Sequence, residues 1–127
     1  MPPATQPPAV DPRTFAARFF EEGRFVFREG DPPSCAYIVE SGRIEIHRGQ
    51  GAHRRLLGTI LPGGIFGEMA LIDNEPRMAD AVAAVDSVCK IVSPDLFHDK
   101  LAKADPFVRA LLRILVRNVR SMAEMQD

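Results

Sequence analysis

The segment FGEMALIDNEPRMADA, residues 66 to 81, contains a glutamate and an arginine, Glu68 and Arg77, whose spacing could serve a single ligand. Gly67 directly precedes Glu68, and glycine lets a backbone turn tightly and approach a ligand closely. The GEMALI stretch can then form one helical turn, whose first N–H groups lack partners within the turn and attract anions. Pro76 keeps the residue before it extended and predicts a strand that begins at Arg77. We therefore expect Arg77 to face the start of the turn across a small hollow.

Glu68 and Arg77 would bind different parts of the same ligand. An arginine fork together with backbone N–H groups binds a negative phosphate, whereas a carboxylate accepts hydrogen bonds from hydroxyl groups. A sugar phosphate offers both kinds of group. The spacing by itself is equally compatible with a structural ion pair between Glu68 and Arg77, because inconsequential pairs of this kind are common.

The remainder of the chain predicts one mainly β domain that positions these residues. Its 127 residues, 46% hydrophobic and 26% charged, suit a single globular unit, which we place at residues 13–127. Between Arg24 and Ala84, short apolar or alternating runs are separated by turn formers every ten residues or so. This rhythm favours an antiparallel sandwich or jelly roll. Five prolines fall within residues 1–12, which indicates a disordered tail.

Three longer helical patterns flank the β region. RTFAARFFEE, residues 13–22, has helix-compatible aromatic spacing ahead of Gly23 and predicts an N-terminal helix. PDLFHDKLAKAD, residues 94–105, predicts a second helix. Residues 106–125 predict a third and longer helix, which an Asp105 cap and Pro106 begin.

The last helix carries an apolar stripe and a basic stripe. We expect the apolar stripe to pack on the domain, with a lid or a dimer seam as the alternative; it consists of Leu111, Leu115, Val119 and Met122. We expect the basic stripe to be a solvated face, with the docking of an acidic partner as the alternative; it consists of Arg109, Arg113, Arg117 and Arg120.

Composition excludes several classes of function. The net charge of −1 and the pI of about 6.3 provide no global positive field for a nucleic-acid backbone. No apolar run reaches the length of a membrane span, and the N-terminus lacks the features of a secretory signal. Two distant cysteines, Cys35 and Cys89, indicate reduced thiols and a cytoplasmic location.

Neither a metal site nor a catalytic site is predicted. The three histidines, His47, His53 and His98, lack the paired spacing of a metal-dependent jelly-roll enzyme. No nucleophile and base stand in a recognisable arrangement. Glu68 is better explained as a hydroxyl acceptor than as a general base.

The strings FGEMAL and PRMA, joined by a short spacer, resemble the phosphate-binding cassette of the cyclic nucleotide-binding domain family. This family includes domains of the catabolite activator protein, the regulatory subunits of cyclic-AMP-dependent protein kinase and cyclic-nucleotide-gated channels. The strings GRFVFREGDPP and AYIVESGRIEI are similar to its opening strands, and the resemblance extends over residues 13 to 125. It implies an eight-stranded antiparallel jelly-roll β-barrel flanked by helices. It also implies that the last helix, here residues 106–125, folds over the purine base.

The resemblance further implies the role of each site residue. Glu68 would bond the ribose 2′-hydroxyl, and Arg77 would pair with the cyclic phosphate. The backbone at four positions would surround the phosphate, and Ala79 is small enough to leave room for it; the four positions are Gly67, Met69, Ala70 and Met78.

Two positions depart from the family pattern. Members selective for cyclic GMP often carry threonine directly after the arginine, where this chain has Met78; this favours cyclic AMP as the ligand, with cyclic GMP as the second choice. Asp80 stands where many relatives have threonine or serine. Strand alternation predicts that Asp80 points to the opposite face, into solvent, whereas an inward Asp80 would weaken or block the site.

The predicted function is a noncatalytic sensor in which cyclic AMP binding repositions the C-terminal helix, with an unidentified effector protein as its partner. Direct DNA binding is not expected, because the chain ends at Asp127 without room for a recognition helix. A homodimer through the C-terminal helix is a further use of that helix. The alternative is an interaction module that has kept the fold, lost the ligand and acts through the same helix.

Overall fold

Eight strands and three helices make up the described part of the chain, residues 15–125 of a computed structural model. The predicted proline-rich tail, residues 1–12, lies outside the described residues. The elements are β1 (Ala17–Phe20), β2 (Phe25–Phe27), β3 (Ala36–Ser41), β4 (Ile44–Arg48), β5 (Arg55–Ile60), β6 (Ile65–Phe66), α1 (Glu68–Asp73), β7 (Asp80–Ala83), β8 (Ser87–Val92), α2 (Pro94–Ala102) and α3 (Pro106–Met125), with a short 3₁₀ turn at Gly51–His53.

The strands form two antiparallel sheets, in the orders β1-β8-β3-β6 and β2-β7-β4-β5. The predicted mainly β fold of eight antiparallel strands with two C-terminal helices is confirmed. The predicted jelly-roll β-barrel is not closed, since the described strands pair in two separate four-stranded sheets. The edge strands β2 and β6 contain only three and two residues, and the ladders end there before the sheets can join.

An aromatic cluster fills the space between the two sheets. The Tyr37 ring stacks on Phe66 with centroids 5.2 Å apart and meets Phe20 edge-on at 6.2 Å. Ala81 and Ala83 of β7 are buried in the same cluster, and their small side chains leave room for the rings. This core fixes the positions of β6, which directly precedes the predicted site at Gly67, and of β7, which directly follows the predicted site at Ala79.

The predicted N-terminal helix is wrong, because its described part contains β1. This strand pairs with β8, with Phe19 opposite Val88 and Phe20 opposite Ser87. Phe20 is buried and Phe19 is exposed, so these two neighbouring rings point to opposite faces of the sheet, as successive residues of a strand do. Pairing with β8 satisfies the backbone of β1 across the sheet, and this outweighs the helical spacing of the aromatic residues.

The two C-terminal helices begin at side-chain caps. Ser93 Oγ accepts a hydrogen bond from the Leu96 N–H at the start of α2, and Asp105 Oδ1 accepts one from the Phe107 N–H at the start of α3. Such caps satisfy N–H groups that have no partner within the helix. The boundaries of α3 agree with the prediction from the sequence.

The expectation that the apolar stripe of α3 packs on the domain is wrong. Leu111, Leu115 and Met122 are 42%, 50% and 56% exposed. The buried residues of this helix are Val116 and Ala123, which lie to one side of the stripe. The helix therefore rests on the domain along a narrow line and leaves much of its apolar surface uncovered.

The basic stripe of α3 is not a uniformly solvated face. Arg109 donates hydrogen bonds to the carbonyls of Ala102 and Ala104. Arg120 is bound to Asp73. Arg113 and Arg117 are exposed, as expected.

Candidate ligand-binding site

A cavity of about 420 Å³ lies between the segment Gly67–Ala79, here called the cassette, the strands β4 and β5, and helix α3. Its volume falls in the range typical of small-molecule sites. All seven predicted ligand-binding residues line it: Gly67, Glu68, Met69, Ala70, Arg77, Met78 and Ala79. The structure thus brings the predicted residues together around one space, and their binding of a ligand stays a prediction.

Gly67 begins the cassette in a conformation that suits glycine. Its φ is 81°, in the left-handed region that side chains disfavour. A Cβ atom at this position would lie 3.0 Å from Arg77 Nη1 and 3.4 Å from the Cys35 carbonyl oxygen. Glycine therefore lets the backbone pass directly beside the guanidinium and turn into α1.

The guanidinium of Arg77 is buried and held in a fixed orientation, with only 4% of the residue exposed. Nη1 donates to the Gly67 carbonyl at 2.8 Å, and Nη2 donates to the Cys35 carbonyl at 2.7 Å and to Ser34 Oγ at 3.1 Å. The guanidinium carbon also lies 4.0 Å from the centroid of the Phe27 ring. Among residues 15–125 the buried Nε has no hydrogen-bond partner, so one N–H of this guanidinium stays unpaired.

Burial lowers the pKa of Arg77 from its ordinary value, while Tyr37, Cys35 and Asp31 act in the opposite direction. Arginine nevertheless stays charged, since its ordinary pKa is so high. No carboxylate pairs with this guanidinium within 4 Å among residues 15–125. An anionic ligand would therefore supply the charge that this buried cation lacks.

The backbone of Arg77 is fixed by the turn that follows β2. Its N–H donates to the Asp31 carbonyl, and its carbonyl accepts from the Gly30 N–H, both at 2.8 Å. Strand β7 begins at Asp80, three residues later than the strand predicted to begin at Arg77. Arg77 is thus held by two backbone hydrogen bonds, to residues 30 and 31, and not by the ladder of a regular strand.

Glu68 is the first residue of α1 and lines the cavity. Burial raises the pKa of its carboxyl group, and its own backbone amide and Arg77 act in the opposite direction. Within the described residues the ion pairs do not include one between Glu68 and Arg77. The structural ion pair that the spacing allowed is thus not formed, and the carboxylate can accept hydrogen bonds from a ligand.

Asp80 neither blocks the cavity nor reaches solvent. It is not among the lining residues, in agreement with strand alternation, but it is buried, so the prediction of a solvated side chain is wrong. Oδ1 accepts the Glu29 N–H at 2.7 Å, and Oδ2 pairs with Arg54 Nη1 at 2.6 Å. Arg54 covers the carboxylate, which explains why Asp80 is buried on the face away from the cavity.

The wall opposite the cassette contains residues that were not predicted from the sequence as site residues. Strands β4 and β5 and helix α3 contribute Ile46, Leu57, Gly58, Ile60, Val119, Arg120, Met122 and Ala123. Val119 and Met122 belong to the apolar stripe, whose spacing was visible in the sequence. The strand residues carried no signal beyond alternating apolar positions, because only the pairing of β4 with β5 brings them to the cavity.

Arg120 connects α3 to the cassette. Its guanidinium binds both oxygens of Asp73, with Nε to Oδ2 at 2.5 Å and Nη2 to Oδ1 at 3.1 Å, and Nη1 donates to the Pro76 carbonyl at 3.0 Å. Asp73 ends α1 and Pro76 precedes Arg77. One side chain of α3 thus holds both ends of the spacer within the cassette.

Two features are absent from residues 15–125: a cluster of potential metal ligands and a helix that could cross a membrane. No group of three or more His, Cys, Asp or Glu side chains in this range is arranged to hold a metal ion. None of the described helices is both long enough and apolar enough to span a membrane.

Comparison with known proteins connects this geometry to one family. The family model of the cyclic nucleotide-binding domain matches residues 17–104. The cyclic AMP receptor protein of Thermus thermophilus is 38% identical over 74 residues, covering 58% of this chain and 34% of the relative. The CRP-like cAMP-activated global transcriptional regulator of Mycobacterium tuberculosis is 32% identical over 102 residues, covering 80% of this chain and 46% of the relative.

Solved structures share the same architecture. The cAMP-bound form of the EAL enzyme Bd1971 superposes with a TM-score of 0.81 at 34% identity, over 85% of this chain and 29% of that one. The catabolite activator protein of Thermus thermophilus gives a TM-score of 0.70 at 28% identity, over 90% of this chain and 54% of that one. This chain therefore matches only part of each of these longer proteins. Because the family model matches most of the length of this chain, the chain belongs to the cyclic nucleotide-binding domain family.

Proposed function

We propose that this domain is a noncatalytic sensor that binds a 3′,5′-cyclic nucleotide, with cyclic AMP preferred over cyclic GMP. The observation that carries the proposal is the buried Arg77, which has no carboxylate partner within residues 15–125 and lines the same cavity as Glu68. A cyclic nucleotide offers its phosphate to Arg77 and its ribose 2′-hydroxyl to Glu68. The backbone amides of Gly67, Met69, Ala70 and Met78 would complete the phosphate site, with room left by Ala79.

Ligands of similar proteins support this class of ligand. Bd1971 has been solved bound to cAMP and bound to cGMP. The regulatory domain of Toxoplasma gondii PKA, 26% identical to this chain, has been solved with cAMP. Met78 follows Arg77 without a hydroxyl group for guanine, which favours cyclic AMP.

Calorimetric titration with cAMP, cGMP and linear 5′-AMP tests the proposal. We expect cAMP to bind and 5′-AMP to bind much more weakly, because the proposed contacts of Arg77 and Glu68 require a phosphate that is closed onto the ribose. Arg77→Ala should abolish most of the binding, whereas Arg117→Ala, an exposed arginine outside the cavity, serves as the matched control. Tighter binding of 5′-AMP than of cAMP would refute the proposal.

We propose that the ligand acts by repositioning α3. Val119, Met122 and Ala123 of this helix line the cavity, so a base in the cavity would contact them directly. A ligand shifts such an equilibrium only by its different affinity for the two positions of the helix. Amide hydrogen exchange of α3 should therefore slow on addition of cAMP and stay unchanged on addition of 5′-AMP; equal exchange with and without cAMP would contradict the movement.

The exposed apolar face of α3 is proposed to serve a partner, either an unidentified effector or a second copy of the chain. This face consists of exposed apolar residues at alternating steps of three and four, with Asn118 completing the series: Val108, Leu111, Leu115, Met122 and Met125. Such spacing is typical of a surface along which two helices pack. Sedimentation equilibrium of the chain and of Leu111→Glu tests the homodimer, with Arg113→Glu as a control on the basic face. Monomers at every concentration would leave the effector as the partner.

A ligand-free interaction module is the second candidate, and the uncovered face of α3 is the observation that favours it. Thermal unfolding separates the two, because a ligand that binds the native state raises the melting temperature by mass action. No shift with cAMP, together with a persistent dimer or a captured effector, would support the module. We propose no DNA contact and no catalysis for this domain itself, and we retain the predicted cytoplasmic location because Cys35 and Cys89 are free thiols.

A further inference from the structure

The wall of the cavity that faces the cassette consists of hydrocarbon and thioether side chains with one exception. It is formed by Ile46 on β4, Leu57 and Ile60 on β5, and Val119, Met122 and Ala123 on α3. Arg55 Nη2 at the start of β5 donates to the Ala123 carbonyl at 2.9 Å, so β5 and α3 are joined. These residues therefore make one apolar wall.

The exception is Arg120, whose guanidinium is already bound. Its Nε and Nη2 donate to the carboxylate of Asp73, and its Nη1 donates to the Pro76 carbonyl. The other charged side chains that line the cavity, Glu68 and Arg77, belong to the cassette. No side chain of the apolar wall, within the described residues, is therefore placed to form a hydrogen bond with a base.

We infer that the domain selects its base by the cost of removing water from the polar edge of the base, and not by hydrogen bonds from side chains. This inference rests on the proposed function, in which Arg77 binds the phosphate, Glu68 binds the ribose and the base contacts the apolar wall. The face of a purine gains dispersion contacts there. Each polar group on its edge loses water without gaining a partner.

The two common purines differ in this cost. The six-membered ring of guanine carries O6, N1–H and the N2 amino group along its edge, whereas adenine carries N1 and the N6 amino group. The wall therefore prefers adenine although it forms no bond specific to adenine. The same reasoning ranks all purine cyclic nucleotides by the polarity of the base edge, with the least polar base bound at least as tightly as adenine.

Calorimetric titration with three nucleotides tests this ranking: cAMP, cGMP and purine riboside 3′,5′-cyclic monophosphate, which is cAMP without the amino group. We expect the purine analogue to bind at least as tightly as cAMP, and cGMP to bind about tenfold more weakly, the effect of one unpaired polar group. An analogue bound about tenfold more weakly than cAMP would show that the amino group donates a hydrogen bond to the protein and would overturn the inference. Binding of cGMP as tight as that of cAMP would also overturn it.

A nearly isosteric variant tests the wall itself. Val119→Thr places a hydroxyl group on the wall, and we expect it to raise the ratio of cAMP affinity to analogue affinity by about threefold or more. Val108→Thr is the control, because Val108 lies on the same helix outside the cavity and is similarly exposed, 43% against 41%. An unchanged ratio in Val119→Thr would place the base away from this wall and contradict the inference.

Failure of the proposed function is distinguishable from failure of this inference alone. If none of the three nucleotides binds up to about 1 mM, the proposed function fails and the inference fails with it. If cAMP binds and the ranking differs, the proposed function stands and only the inference fails.

Discussion

Glu68→Gln should change ligand affinity and ligand-free stability in opposite directions. Burial raises the pKa of Glu68, so the folded domain holds this carboxylate ionised at a cost in free energy. Glutamine keeps the size of the side chain and one acceptor oxygen and removes the charge. We therefore expect the variant without ligand to be more stable than the parent at neutral pH and to bind cAMP less tightly.

The size of the affinity change follows from the charge of the acceptor. A hydrogen bond to an ionised group contributes about 1.5 to 3 kcal/mol, and one between neutral groups about 0.5 to 1.5 kcal/mol. If the carboxylate accepts the ribose hydroxyl as proposed, replacing it by an amide should cost about 1 to 1.5 kcal/mol, roughly a five- to twelvefold loss of affinity.

The free energy of unfolding and the affinity for cAMP should each change with pH in a definite direction. Between the ordinary pKa and the raised pKa of Glu68, the folded ligand-free domain binds more protons than the unfolded chain. Its free energy of unfolding should therefore fall as pH rises through this window, and the cost is fully present above it. Ligand binding favours the ionised carboxylate, so cAMP affinity should fall as pH drops through the same window. Both dependences should weaken in Glu68→Gln.

Urea unfolding and calorimetric titration from about pH 5 to pH 8 would measure both properties. Glu75→Gln is the matched control, because Glu75 is an exposed glutamate of the cassette that does not line the cavity. If Glu68→Gln leaves cAMP affinity unchanged at neutral pH, Glu68 does not belong to the ribose site. If Glu68→Gln destabilises the ligand-free domain, burial is not the dominant influence on this carboxyl group.

Variants at three further positions test other parts of the site and its support. Arg77→Ala should weaken cAMP binding by about 2 to 5 kcal/mol, or about thirtyfold to several thousandfold, in calorimetry; Arg77→Lys should not restore it, since one ammonium group cannot replace an oriented fork. Asp80→Ala should lower the free energy of unfolding by about 1 to 3 kcal/mol, because it leaves the Glu29 N–H and Arg54 without their acceptor. The same variant should keep its cAMP affinity, and a large loss would place Asp80 in the site. Arg120→Gln should speed amide exchange in the last turns of α3, and unchanged exchange would show that other contacts hold the helix.

The cassette could be predicted from the sequence because its geometry is local. Gly67 supplies the left-handed turn, the α1 segment follows it directly, and Pro76 precedes the arginine, all within residues 67–79. No distant strand is needed to define the order of these features. The seven predicted residues accordingly line a single cavity.

Elements that depend on distant partners were predicted less well. The conformation of β1 is decided by pairing between residues such as Ala17 and Lys90, and aromatic spacing within residues 13–22 carries no information about that partner. The side chain of Asp80 was expected in solvent because its partner Arg54 lies on another segment, 26 positions away. The apolar wall was missed for the same reason, since β5 and α3 meet only in the folded chain.

The contacts of Arg120 explain how an event at the phosphate could reach α3. Arg120 binds Asp73, which lies in the spacer between the strings FGEMAL and PRMA, and Pro76, which directly follows this spacer. A phosphate bound to Arg77 and to the start of α1 would act on the segments at both ends of the spacer, and therefore on both partners of Arg120. The same helix contributes Val119 and Met122 to the apolar wall, so a base bound in the cavity would act on it directly. Because both parts of the proposed ligand would act on the helix that carries the exposed apolar face, occupancy of the cavity would decide where that face is presented to a partner.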